Sequence, residues 1–205
     1  MVTIQGSPAS TGIAIGPAYI YKQERIEIPE KKAESADLEL ERLKSAIAQA
    51  ENELSTLQKT AQERAGGEEA KIFAAHALML ADPSLQRFSQ ALIESESQAA
   101  EAAIFQAGES FAKKLEQVPD ELIQQRSIAI RDIVQRVLRI LTGSQNSGFS
   151  DLAKPSVIFA DDLTPSDTVQ LDKELTLGIY TKQGSRTSHA AILARSLGTP
   201  AVIGG

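Results

Sequence analysis

The sequence predicts a protein of mixed class, an α/β unit interrupted by an all-α antiparallel bundle, and three observations carry that prediction. Residues 33–142 draw heavily on Ala, Glu, Gln, Leu and Lys, the set that forms helices at least cost. From residue 155 onward, short β-rich runs alternate with helical ones. Residues 1–22 hold Gly, Pro and alternating β-branched residues but too little apolar mass for a core of their own. They are therefore expected to join the C-terminal block. The expected division is an α/β part from residues 1–22 and 150–205, with a helical part over 33–143 inserted between them.

Each element has its own signal. The run "GIAIGPAYIY" reads as strands broken at Gly16–Pro17. Leu40, Leu43, Ile47, Ala50, Leu54, Leu57 and Ala61 follow a 3,4 spacing, a heptad seam on one long helix that Gly66–Gly67 ends. Helices are next expected over 68–80, stopped by Asp82–Pro83, then over about 84–95 and 98–116. Pro119–Asp120 opens a further helix in which Ile123, Ile130, Ile133, Val137 and Ile140 share a face, and Thr142–Gly143 closes it. The last block reads strand 156–160, a short helix from Pro165, strand 175–181, helix 189–197 and strand 200–204. That is a βαβαβ order.

Composition narrows the function. The net charge is −6, which argues against a general nucleic-acid or anionic-membrane binder. The chain has no cysteine and two histidines, so disulfides, thiolate chemistry and a multi-histidine metal site are not expected. No apolar run reaches membrane-spanning length, and "MVTIQGSPAS" lacks the layout of a signal peptide; the expected location is cytoplasmic. No G-x-S-x-G elbow, Walker A or G-x-G-x-x-G fingerprint occurs.

One of the two histidines stands where helix 189–197 begins, in "QGSRTSHAAILARSLGTPAVIGG". Thr187 or Ser188 is placed to cap that helix, and Gly198 to end it. The positive end of a helix dipole disfavours imidazolium, and the same orphan N–H groups suit an anion. His189 can thus accept and hold a phosphoryl group, with Arg186 and Arg195 close in sequence. Equally, it can simply cap the helix or bond a carbonyl.

The run "GSRTSHAAILARSLGTPAVIG" resembles the phosphohistidine signature of the phosphoenolpyruvate-utilising enzymes. "GSPASTGIAIGPAYIY", "GGEEAKIFAAHALMLADPSL", "RSIAIRDIVQRVLRILTG" and "ADDLTPSDTVQLD" resemble, in turn, the opening, first helical hairpin, last bundle helix and pre-motif loop of the N-terminal half of Enzyme I-type phosphotransferases. The resemblance implies that His189 is phosphorylated on Nε2, that Thr168 orients its ring, and that Arg186, Arg195 and Ser188 stabilise the phosphoryl group. It implies that an HPr-like phosphocarrier docks on Glu68, Glu69, His76, Leu78, Met79, Arg126 and Arg131. His76, among Phe73, Leu78 and Leu80, reads from its neighbours alone as a core or surface histidine, and the Glu pair as favourable charge at a helix start. The resemblance also places phosphoenolpyruvate and Mg2+ on a C-terminal barrel outside these residues, leaving this chain without cofactor or metal. The chain is further expected to stop short of the family's complete α/β domain, to be monomeric as a fragment, and to dimerise only at full length. Ser185 stands where the family usually has a second glycine, and Glu69 where some relatives have lysine, the nearest lysine being Lys71. The alternatives are a non-catalytic module that only docks the carrier, and the Enzyme I-like part of a dihydroxyacetone kinase phosphotransfer subunit.

Overall fold

The structure is a computed structural model that describes residues 3–23, 26–28, 32–64, 67–144, 148–149, 151–186 and 188–204; the side chains of Arg64, Glu68, Glu69, Glu121 and Leu122 lie outside that description. The elements run β1 (Ser7–Ser10), β2 (Ala18–Tyr21), α1 (Ala36–Arg64), α2 (Gly67–Leu80), α3 (Pro83–Glu96), α4 (Ala100–Glu116), α5 (Glu121–Thr142), β3 (Ser156–Ala160), α6 (Pro165–Thr168), β4 (Thr176–Thr181), α7 (His189–Leu197) and β5 (Ala201–Ile203). They divide into two compact units: Met1–Glu24 with Ala61–Gly67 and Ser147–Gly205, and Arg25–Thr60 with Glu68–Asn146. No described helix is long and apolar enough to cross a membrane.

The helical unit is built on the periodicity seen in the sequence. Leu43, Ile47, Ala50 and Leu54 of α1 are buried, as are Ile130, Ile133 and Val137 of α5. Charged side chains cross between helices around this core. Arg42 of α1 binds Glu101 of α4, and Arg136 of α5 meets Glu53 of α1 at 2.6 Å. Asp82 caps α3 by accepting from the Ser84 N–H at 2.7 Å, with Pro83 at the first helical position. Gly108 lets α4 lie close against α5, because a Cβ there would sit 2.4 Å from Val134 Cγ2 on α5. In an exposed helix Gly→Ala gains up to about 1 kcal/mol. Here overpacking opposes that gain with about 1–3 kcal/mol, since a helical Val has one favoured χ1 and cannot turn aside. Gly108→Ala is therefore expected to lower the melting temperature, and adding Val134→Ala to recover much of the loss.

The α/β unit is one five-stranded sheet in the order β1-β5-β4-β3-β2. β2, β3, β4 and β5 are parallel, and β1 lies antiparallel to β5. Alternation along the strands sends Ile158, Ala160, Ile179, Ala201 and Ile203 into a core with Ala190, Ala191, Leu193 and Ala194 of α7. The two N-terminal strands do join the C-terminal block, but at opposite edges of the sheet. The intervening Thr11–Pro17 must then cross three strands, roughly 19 Å at the usual strand spacing. This corrects the reading of "GIAIG" as strand. Its alternation reflects an extended chain that runs across the other sheet face instead of along it, and Ile13 and Ile15 are each 88% exposed. The close approach needs glycine. A Cβ on Gly178 would lie 2.7 Å from Ala14 Cβ, and Gly12, at φ +134°, leaves no room against the Pro200 ring.

Candidate functional site

Parallel pairing of β3 and β4 brings the site together. Ala160 and Thr181, the last residues of the two strands, are register partners, so the chain leaves both at the same end of the sheet. That is the end where open parallel sheets present their ligand loops. The two loops are stitched to each other: Lys182 N–H donates to the Ala160 carbonyl at 3.0 Å, and Gln183 N–H to that of Asp161 at 2.8 Å. One loop leads through Asp162 to α6, which ends at Thr168; the other leads through Arg186 to α7, which begins at His189. α6 and α7 pack against each other.

His189 is the first residue of α7 and half-buried. Ser188 is the N-cap, accepting from the Ala191 N–H at 3.4 Å, and Gly198 ends the helix in the left-handed conformation at φ 67°. The other cap candidate, Thr187, lies outside the described residues. A turn from Ser185 to Ser188, closed by a 2.9 Å backbone bond, delivers the chain to the cap. Arg195 reaches back from the last turn of α7, its Nη1 donating to the Arg186 carbonyl at 2.9 Å and the Ala9 carbonyl of β1 at 3.3 Å. Arg186 itself is exposed. Thr168 is 7% exposed and donates its hydroxyl hydrogen to the Pro165 carbonyl at 2.8 Å. Its oxygen lone pairs can still accept a proton-bearing ring nitrogen.

Asp162 is a member of this cluster that the sequence reading did not single out. Its carboxylate accepts the Leu163 N–H at 2.8 Å and interacts with the charge of His189. Burial raises its pKa above the ordinary aspartate value, while the Leu163 N–H and His189 pull the other way. Two adjacent aspartates straight after a parallel strand were the available signal. A raised folded-state pKa means that the ionised form costs stability above that pKa. The cost disappears once pH falls below the unfolded value, where both states are protonated. Asp162→Asn is therefore expected to melt higher than the parent at neutral pH, with the difference shrinking on acidification; melts across pH check this.

The residues expected to dock a carrier fall out differently. Leu78 is 75% exposed on α2, Met79 is half-buried beside it, and Arg126 is exposed on α5. The side chains of Glu68 and Glu69 lie outside the description. His76 is 2% exposed, with Nδ1 3.4 Å from Asp132 Oδ2 and its ring edge-on to Phe73. It is packed between α2 and α5, so its placement on a docking surface is corrected to a core position. Arg131 is held by Glu109 of α4 at 2.7 Å and by Glu116, which ties its charge into the bundle. Among the described residues no group of three or more His, Cys, Asp or Glu is placed to hold a metal ion.

An α/β unit that sets a histidine on a capped helix start, with an aspartate acting on it and a short helix that ends in a threonine packed against that helix, and that carries a helical unit inserted in its chain, defines a class that comparison identifies. Residues 5–126 match the model of the N-terminal part of the PEP-utilising enzymes, and residues 152–205 match that of their mobile domain. The chain belongs to the phosphoenolpyruvate-utilising enzymes, on the Enzyme I branch. It is 43% identical over 98% of its length to the phosphoenolpyruvate-protein phosphotransferase of Geobacillus stearothermophilus, and 37% identical over its whole length to that of Bacillus subtilis strain 168. It spans about a third of the length of these relatives, 35% and 36% respectively. A solution structure of an Enzyme I protein, 37% identical, superposes with a TM-score of 0.82 over 98% of this chain and 82% of that one. The N-terminal domain of a nitrogen-branch Enzyme I, 27% identical, gives 0.66 over 98% and 83%.

Proposed function

We propose that this chain is the phosphohistidine module of a phosphoenolpyruvate-protein phosphotransferase, and that it exchanges a phosphoryl group between His189 and a histidine of an HPr-like carrier. The observation that supports it most is the position of His189, on the capped first turn of α7, between loops from two parallel strand ends. There Nε2 can take the phosphoryl group while Nδ1 donates to Thr168. Ser188, Arg186 and Arg195 flank the charge that arrives. In the transfer step a carrier imidazole nitrogen bonds to phosphorus as the bond from phosphorus to His189 Nε2 breaks, and its electron pair returns to the ring.

The helical unit is the docking part in this reading. Leu78 and Met79 on α2 form the apolar centre, with Glu68, Glu69, Arg126 and the ion-paired Arg131 supplying charge around it. Phosphoenolpyruvate and magnesium have no part in this exchange step. The test is to incubate the chain with phosphorylated HPr and digest it under alkaline conditions. An acid-labile, base-stable phosphate on His189 is expected. Label elsewhere, or none on a folded chain that binds the carrier, overturns the reading.

A further inference from the structure

A third strand end reaches the site and has no role so far. Tyr21 is the last residue of β2 and the register partner of Ala160, so it too faces the end of the sheet that carries the loops. It is 8% exposed, stacked on Phe149 with ring centroids 4.5 Å apart, and its hydroxyl donates to Asp167 Oδ1 at 2.6 Å. Asp167 is 3% exposed. Its Oδ2 accepts the Thr164 N–H at 3.0 Å and the Thr164 hydroxyl at 2.9 Å, with Gln23 Nε2 at 3.5 Å. The Asp167 N–H returns a bond to Thr164 Oγ1 at 3.2 Å.

These bonds answer a physical problem. α6 has four residues, Pro165–Thr168, too few to hold a helical turn unaided. The reciprocal capping box fixes its start, but that box is local and cannot set where the turn sits over the sheet. The Tyr21 hydroxyl can. A phenol locked by stacking has little freedom left, so its bond to a buried carboxylate fixes α6 relative to β2. Every partner named for Asp167 is a donor, which suits a charged acceptor and a strong, short bond.

We propose that Tyr21, acting through Asp167, is a positioning residue for phosphoryl transfer: it sets the α6 turn so that Thr168 meets the His189 ring. The inference rests on His189 being the phosphoryl carrier. The contacts described for Tyr21 are with Asp167 and Phe149, so Tyr21→Phe is expected to change geometry at constant chemistry.

The test compares Tyr21→Phe, which keeps the stacked ring, with Thr168→Val and the double variant. Transfer from phosphorylated HPr is followed by rapid quench beside a thermal melt. Tyr21→Phe is expected to slow the transfer step about fivefold to twentyfold, with KM for the carrier unchanged, the order of effect of displacing one hydrogen bond in the transition state. The double variant is expected to be no slower than Thr168→Val alone, because both act on the same contact. A second readout needs no transfer at all: the 15N shifts of the His189 ring in the unphosphorylated chain are expected to move in Tyr21→Phe. A parent-like rate with unmoved shifts and only a lower melting temperature overturns the inference. Additive slowing in the double variant also overturns it. If the parent takes no label on His189, the functional reading fails, while the ring shifts still decide whether Tyr21 positions that ring. Should Tyr21→Phe not fold, Asp167→Asn, which turns one acceptor into a donor, carries the same comparison.

Discussion

Replacing His189 with alanine is expected to abolish phosphoryl exchange with HPr while leaving the dissociation constant for the carrier within about twofold. In the proposed reaction the chemistry resides in one ring. Alanine is the best helix former and His189 is only half-buried, so α7 and its Ser188 cap survive the change. The opposite pattern is expected for Leu78→Glu. Leu78 is 75% exposed on α2, in the unit that does not contain His189. A carboxylate there puts charge at the centre of an apolar contact and weakens binding by about tenfold or more, about 1.4 kcal/mol. At saturating carrier, the transfer step itself stays near that of the parent. Titration calorimetry with single-turnover transfer reads both quantities. Binding lost in His189→Ala but kept in Leu78→Glu places the docking surface around the histidine, and the assignment of α2 is then wrong.

How far such roles could be read ahead of the structure depends on the range of the signal. The heptad seam of α1 and the isoleucine face of α5 are local patterns, and most of the residues they name become buried, with Leu40, Leu57, Ile123 and Ile140 partly exposed. The placement of His189 at a capped helix start was legible for the same reason, since the cap and the C-terminal glycine lie within ten residues of it. What the sequence could not show depends on pairing between distant strands. "GIAIG" alternates like a strand, and only the placement of β1 and β2 at opposite edges makes it a crossing segment. His76 stands beside exposed Leu78 on the same short helix. Its burial follows from α5 supplying Asp132 across the interface, a contact 56 positions away in the chain. Asp162 and Tyr21 stand at the same end of the sheet as the loop before α7 because three parallel strands end level with one another, a property of register that no single segment records.

Thr168→Val tests whether that register produces catalysis. Valine keeps the shape and removes the hydroxyl, and the site is 7% exposed, so packing is preserved while the donor to Pro165 and the accepting lone pairs of the hydroxyl are lost. The lost Pro165 bond is local, and its carbonyl also accepts the Val169 N–H at 3.2 Å, so α6 keeps its backbone turn. The fold and the affinity for carrier are therefore expected to change little. Transfer is a different matter. An imidazole delivers Nε2 to phosphorus along one line only while Nδ1 and the ring plane are held, and it leaves phosphorus as neutral imidazole only if Nδ1 keeps its proton. Losing that hold is expected to cost about tenfold to a hundredfold in transfer rate, about 1.4–2.7 kcal/mol in the transition state. Were Thr168 merely a local brace of α6, the melting temperature would fall and the rate would stay. The two accounts thus differ in which measurement moves. Rapid-quench transfer beside a thermal melt separates them, and a parent-like rate would turn the search for the orienting group to side chains such as Asp162, which interacts with His189.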